Sequence, residues 1–547
     1  MCFVCVQEGR AYQQKGPNHI EAAGETTSSS GAGSFNIGVN YVDSLTDDLS
    51  WSGTVNQSVS VEYTFANSSR GTLFSAADQA LALQAMQEFS NVANITFTQG
   101  GTDAAMTFAR HSYGSSNTTG VSYYRYYDTE LTAAETTVRY DLNINLGNSG
   151  YGTLLHELGH SVGLKHSGNY DSTGSSVGGP YLPDSEDTER ATVMSYNGYY
   201  GDTGYTYHAP AGLQIYDIAA LQHIYGANTS YNSGDTSYSF DGGSYVSGNG
   251  NLFTLWDGAG TDTLTAQSYS GSATLDLREG LAFESTIGMD KILIAFGANI
   301  ENAYGTIAGD NITGNDLGNQ LNGGNGADTL AGGNGNDTLF GGDGVVDTDD
   351  SGDQITAGSG NDQVYGNSGN DHLYGNSGSD LIYGGRGNDH VYGNEDNDSV
   401  YGGGSEYNPA DEADTVYGGA GNDLVLGNGS GDVLYGGTGN DTLLGGQGND
   451  TIDAGDGNDL IRGLLDNDVL TGGNGADTFY FGSGHGSDII TDFVSGTDII
   501  QIASGTAGIV DAAGALAAST GNMIGLGDTL VTVSSVAGFT EADFMIV

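Results

Sequence analysis

Cysteine is almost missing from this chain. Only Cys2 and Cys5 occur among 547 residues, so no disulfide framework holds the fold in any compartment. Positive charge is scarce as well: 12 Lys plus Arg face 68 acidic residues, for a formal net charge of -56. A polyanion of this kind repels nucleic acid and anionic membrane surfaces, and its natural partners are cations. Long apolar runs are also lacking. The small-residue stretch from Ile502 to Ser519 is mostly Ala and Gly and is interrupted by Asp511, so no membrane span is expected. The opening residues MCFVCVQEGR have no basic region ahead of their short apolar run, so no Sec-type signal is expected there and any export is expected to use another route.

What is present points to packed structure. The length predicts two to four folded units, and 33 Tyr with 17 Phe argue against a disordered acidic chain. Residues 1–33 are polar and end in the linker-like GETTSSSGAG, and are expected to be a leader or propeptide. From Trp51 the pattern changes. Val59, Val61, Tyr63 and Phe65 alternate with polar residues as in a half-buried strand. Ser75 and Asp78 then open a helix whose Leu81, Ala85, Phe89 and Val92 are expected on one face. Strands are predicted at Ile95 to Thr98, Ala104 to Phe108 and Val138 to Leu146, and a further helix at Leu213 to Tyr225, closed by Gly226.

The most informative stretch runs from Tyr151 to His166, YGTLLHELGHSVGLKH. On a helix, His156 and His160 leave one face a turn apart and can meet one metal ion, with Glu157 between them. Gly163 supplies a place for the helix to stop and the chain to reverse, which brings in His166. Three imidazoles and an open fourth position make a catalytic zinc site.

The pattern HExxHxxGxxH resembles the metzincin metalloproteases, which also carry a methionine turn further on; Thr192, Val193, Met194, Ser195 and Tyr196 match it. Tyr196 narrows the resemblance to serralysins and astacins. Astacins depend on disulfides that two terminal cysteines cannot supply. The echoes SNVANITF, HSGNY and YDIAALQHIYGAN extend the likeness to the serralysin catalytic domain over roughly 200 residues. One departure is Ser167, where that family usually has proline, and a looser loop after His166 is expected. The resemblance implies an α+β metzincin-like zinc protease domain over residues 34–230, acting as an endopeptidase on protein or peptide substrates. It implies one catalytic zinc held by His156, His160 and His166, with Glu157 as general base. Tyr196 would be a fifth ligand at rest that later hydrogen-bonds the intermediate, and Met194 would pack beneath the metal. Substrate is expected as an extended strand along a sheet edge placed near Ala104 to Phe108.

The second half is periodic. Aspartates recur every nine residues from Asp353 to Asp398 and from Asp414 to Asp477, with Asp328 and Asp337 earlier, and an apolar residue follows two places after each. This is the GGxGxDxUx unit of the RTX calcium-binding proteins. Its glycines permit the tight left-handed turn, and its carbonyl and carboxylate oxygens suit calcium. Two units are expected to form one coil of an all-β parallel β-roll over residues 301–490, with several structural calcium ions along its edges. Asp328, Asp337, Asp362, Asp371, Asp380, Asp389, Asp423, Asp432, Asp441, Asp450 and Asp459 are the expected ligands. Non-glycine residues at Asp396, Ser430 and Asp466 weaken their units, and insertions after Asp337 and Asp398 are expected to break the phase. Within a strand-rich connection over residues 231–300, Asp257 and Asp262 resemble a further serralysin calcium loop.

Residues 491–547 are expected to cap the roll. Their ending, Asp543, Phe544, Met545, Ile546 and Val547, resembles the C-terminal export signal of RTX proteins that use the one-step Gram-negative type I secretion machinery. The whole reading is a secreted, extracellular, monomeric enzyme. A different class, an RTX adhesin or surface protein with an inactive protease-like domain, is the alternative.

Overall fold

The computed structural model describes residues 56–65, 71–72, 74–101, 104, 106–111, 120–125, 135–141, 149–164, 166–167, 182, 186–195, 208–241, 250–343, 351–404, 412–536 and 538–547. The leader with its two cysteines, and Tyr196, lie outside them.

The first part is a mixed sheet with helices against it. Its strands are β1 (Val59–Phe65), β2 (Gly71–Thr72), β3 (Ile95–Gln99), β4 (Met106–His111), β5 (Gly120–Arg125) and β6 (Glu135–Asp141), and its helices are α1 (Ala76–Val92), α2 (Ser149–Ser161) and α3 (Ile215–Tyr225). The order is β3-β1-β4-β6-β5, with β2 added beside β4. All pairs along that order are parallel except β5 with β6.

This order corrects one expectation. Ala104 to Phe108 does not lie at an edge, because Met106 to Phe108 pair with β1 on one side and β6 on the other. Among the described residues the edge strand that packs against α2 is β5.

Ser75 caps α1 as its sequence predicts: its hydroxyl accepts the Asp78 N–H, and the Asp78 carboxylate accepts the Ser75 N–H at 3.0 Å. The buried face is rotated slightly from the expected one. Ala82, Ala85, Met86, Phe89 and Val92 are buried while Leu81 is half-buried, because a residue beside Ala82 falls about 100° round the helix, on the flank of the stripe. Glu88 of α1 accepts from the Tyr151 hydroxyl of α2 at 2.5 Å, and the Tyr225 hydroxyl of α3 donates to the Val162 carbonyl at 2.9 Å. The three helices are therefore tied by side-chain bonds as well as by apolar contact.

From about residue 300 the chain coils as a β-roll. Each strand pairs in parallel with the strand one coil on, so that Leu373 lies beside Val391 on one sheet and Val364 beside Ile382 on the other. Inward residues, including Ile355, Leu373, Val391 and Val416 on one sheet and Ile382, Val400, Val425 and Leu443 on the other, are fully buried. Alternation along each strand sends the neighbouring residues outward, where Tyr374, Tyr392, Tyr417 and Tyr435 stack at 4.9, 4.7 and 4.7 Å.

The insertions do not break the phase. Leu330 pairs with Ile355 and Val391 with Val416 across intervals of 25 residues instead of 18, and pairing resumes in register on both sides. Pairing needs only the nonapeptide positions, so surplus residues between two turns leave it intact. Asp396, Ser430 and Asp466 also keep the turn, with φ of 76°, 71° and 76°. A single left-handed residue costs roughly 1–2 kcal/mol, which a turn fixed on both sides by stacked strands can absorb.

The two parts are joined by backbone pairing of His208–Pro210 with Gly250–Leu255, and by Glu284, which bridges Arg190 and Lys291 at 2.9 Å each.

Candidate metal centres

Helix α2 ends as the glycine predicts. Gly163 has a φ of 99°, the Leu164 N–H reaches back to the Gly159 carbonyl at 2.9 Å, and the chain turns so that His166 faces the helix. His160 and His156 each place Nε2 toward His166, at 3.0 and 3.2 Å from its own Nε2. The three ligand atoms all lie within 4.8 Å of one another.

The opposite ring nitrogens decide what this cluster can hold. His156 Nδ1 lies 2.8 Å from the Val193 carbonyl, and His160 Nδ1 lies 2.8 Å from the Leu164 carbonyl. A carbonyl can only accept, so each Nδ1 carries the proton and each Nε2 presents a lone pair. Lone pairs meeting at 3.0–3.2 Å repel unless a cation lies between them. Tetrahedral zinc separates two ligand nitrogens by about 3.3 Å, so the donor set fits that ion. Burial, and then His160 beside it, pushes the His156 imidazole down to about 3, and burial with both neighbours lowers His166 too. Neutral rings are the ligating form.

Glu157 is fully buried next to His156 on the same helix. Met194 is fully buried under it: a methyl group added to Gly159 would come 2.8 Å from the Met194 Sδ. Two contributors escaped sequence reasoning. The first is the Val193 carbonyl, which no side-chain motif can reveal. The second is Asp217 of α3, fully buried, which accepts from Thr192 Oγ1 at 2.5 Å, Val193 N at 2.8 Å and Gln214 N at 2.9 Å. It caps its own helix and at the same time holds the turn whose carbonyl orients His156. Its only local signal is an acid three residues into a helix.

Comparison with known proteins agrees with both halves. The model of the RTX calcium-binding nonapeptide repeat matches residues 313–345, 347–382, 374–405, 411–434, 426–461 and 453–488. Metallopeptidase AprA of Pseudomonas marginalis is 34% identical over 267 residues, covering 44% of this chain and 55% of that protein. Serralysin G of Dickeya chrysanthemi is 33% identical over 261 residues, covering 44% and 54%. Serralysin of Proteus mirabilis is 38% identical over 181 residues, covering 31% and 36%. The chain is related to the serralysins and carries RTX repeats. It spans about half the length of the first two of these relatives.

In this serralysin-like chain the repeat aspartates form two ladders, one along each edge of the roll. On the first, the backbone N–H of each aspartate donates to Oδ1 of the next through Asp310, Asp328, Asp353, Asp371, Asp389, Asp414, Asp432, Asp450, Asp468 and Asp488. The second runs from Asn319 through Asp337, Asp362, Asp380, Asp398, Asp423, Asp441, Asp459 and Asp477 to Asp498. All eleven expected ligands fall on one ladder or the other. Asp353, Asp398, Asp414, Asp468 and Asp477 join them, as do Asp310, two units before Asp328, and Asp488 and Asp498 from outside the nine-residue spacing.

The second ladder leaves an oxygen over for an ion. Oδ2 of Asp337, Asp362, Asp380, Asp398, Asp423, Asp441 and Asp459 is buried without a hydrogen-bond partner among the described residues. Over the bare Cα of Gly366, the space a methyl group would fill is already taken by Asp371 Oδ2 and the Gly384 carbonyl. Carboxylate and carbonyl oxygens converging on such a cradle fit calcium. Burial above all, with neighbouring carboxylates adding to it, raises Asp398 and Asp450 to about 8 and Asp337 and Asp380 to about 7.

Asp257 and Asp262 are both buried at the start of this half. Asp257 accepts from the Tyr238 hydroxyl at 2.7 Å, and Asp262 Oδ1 from Thr236 N at 2.8 Å. Asp262 Oδ2 is buried with no partner among the described residues, and burial, with Asp257 and Glu301 nearby, raises its carboxyl to about 6.

Proposed function

We propose that this chain is a secreted zinc-dependent endopeptidase stabilised by calcium. The observation that carries the reading is the convergence of three Nε2 atoms, two of which, on His156 and His160, are fixed as lone-pair donors because their partner nitrogens are tied to carbonyl oxygens. Zinc bound there would act as a Lewis acid toward a peptide carbonyl and would make a water molecule acidic near neutral pH.

The chain's own residues supply the rest. His156, His160 and His166 hold the ion, and the half-buried His166 leaves the site open on its side. Glu157 takes the proton of the attacking water and returns it to the leaving amine. Tyr196, by its place in the motif, hydrogen-bonds the developing oxyanion, and Met194 supports the helix from below. An extended substrate adds to β5, the edge strand among the described residues that packs against α2. The relatives' names, metallopeptidase and serralysin, support peptide hydrolysis.

Residues 34–230 would form the catalytic domain and 231–300 a connection holding a calcium ion at Asp257 and Asp262. Residues 301–490 would form the calcium-loaded roll and 491–547 its cap with an export signal for the type I secretion machinery. Among the described residues no helix is long and apolar enough to cross a membrane. We assign the protein to the extracellular space as a monomer.

The test compares casein digestion by the calcium-loaded chain with digestion after zinc chelation and by Glu157→Ala. Both are expected to reduce turnover by at least about 10³-fold, while the Glu157→Ala chain still folds and binds one zinc. Appreciable residual activity in that variant removes Glu157 from the chemistry.

A further inference from the structure

Residue 167 is where this chain parts from the serralysin pattern, and its surroundings run against the looser loop that serine predicts. Ser167 is fully buried, and its hydroxyl donates to Asp187 Oδ1 at 2.5 Å across 20 residues of chain. Asp187 is itself buried. The Ser167 carbonyl accepts the Leu182 N–H at 2.9 Å, so the residue is held through both its side chain and its backbone.

The position of Asp187 gives this bond its meaning. It lies on the segment that leads into the methionine turn. That segment is anchored on α3 twice, by Glu186 accepting from the Tyr216 hydroxyl at 2.6 Å and by Asp217 accepting from Thr192 and Val193. The same segment presents the Val193 carbonyl to His156. His156 and His160 are placed by the backbone of a helix. His166 follows the glycine turn, beyond the end of that helix. Ser167 therefore fastens the loop that carries His166 to the element that already orients His156.

We propose that the Ser167–Asp187 hydrogen bond is the positioning brace of the third metal ligand. It holds by a buried hydrogen bond the chain direction that a proline would hold by restricting φ. This rests on reading His156, His160 and His166 as a zinc site. Ser167 and Asp187 are positioning residues, and their effect reaches the reaction only through His166.

The experiment measures zinc release from the full calcium-loaded chain into excess chromophoric chelator, alongside its melting temperature. Loss of a supporting partner typically costs about 10–100-fold in metal affinity, so Ser167→Ala is expected to release zinc about 10-fold faster or more, with melting of the roll unchanged. Ser167→Thr, which keeps the hydroxyl, and Ser167→Pro, which restricts φ instead, are both expected to return release toward the parent rate. A Ser167→Ala chain that releases zinc within about twofold of the parent overturns the brace alone. A parent chain that takes up no zinc overturns the brace together with the functional reading. If Ser167→Ala does not fold, Asp187→Asn weakens the same bond while keeping an acceptor, and unchanged zinc release in that variant also overturns the proposal.

Discussion

The imidazole cluster draws on residues 156, 160, 166, 193 and 217, each used once, whereas the roll places its carboxylates by repeating a single turn with an 18-residue rise. In the cluster every group is oriented by a different neighbour, so no other residue can take over a lost role. In the roll each aspartate is supported by the same contact as the next, and the load is spread over two ladders. Their electrostatics are opposed as well. In the cluster burial keeps His156 and His166 unprotonated, while the ladders gather acids that burial drives toward protonation until a cation arrives.

Three variations would break or sharpen this contrast. The largest effect is expected from Asp217→Ala, which strands the buried Val193 and Gln214 N–H groups and the Thr192 hydroxyl. Each buried group left without a partner costs roughly 1–3 kcal/mol, so the half that carries the imidazole cluster should lose several kcal/mol and its capacity to bind zinc, as read by thermal unfolding and metal analysis. A variant that melts like the parent would show that the centre is as redundant as the roll.

Next comes acidity in a calcium chelator. The folded roll holds Asp398 and Asp450 at about 8 and Asp337 and Asp380 at about 7, above the unfolded value of about 3.9. Groups raised in this way add stability that is fully present below about pH 4 and is lost as pH rises through about 7–8. Calcium-free roll should therefore melt several degrees higher at pH 5 than at pH 8, and saturating calcium should remove or reverse that order. Circular dichroism melts that do not depend on pH in chelator would contradict the buried-acid account.

The smallest effect is expected from Asp380→Asn, which keeps an acceptor for the Asp362 N–H while removing one charge from the ladder. Asn319 already stands in such a position. Calcium-loaded stability should fall by less than about 1–2 kcal/mol, with at most one ion lost in a calcium titration. Collapse of the whole roll would mean that its coils are not independently supported.

Particular residues show how far the sequence could be read. The spacing of His156, His160 and His166, the stop at Gly163 and the cap at Ser75 were legible because each concerns residues within about three helical turns. The roll was legible because its unit repeats, and even its insertions turned out not to matter. Two readings failed and one residue was overlooked, for a shared reason. Ala104 to Phe108 carries the alternation of a strand, but alternation does not say how many neighbours a strand has. Ser167 looks like a loosened proline position until Asp187 comes into contact with it. Asp217 looks like an ordinary helix-capping acid until the methionine turn docks on it.

By itself the sequence determined which atoms could bind metal and how far apart they stand along a helix or a turn, because those distances follow from backbone geometry over a few residues. Only the tertiary structure decided which carbonyl accepts the proton on the far side of the His156 imidazole, which strand is left as an edge among the described residues, and which carboxylate oxygens stay buried without a donor there. Those outcomes depend on segments 20 to 40 residues apart meeting in space, and nothing in the local pattern of either segment specifies its partner.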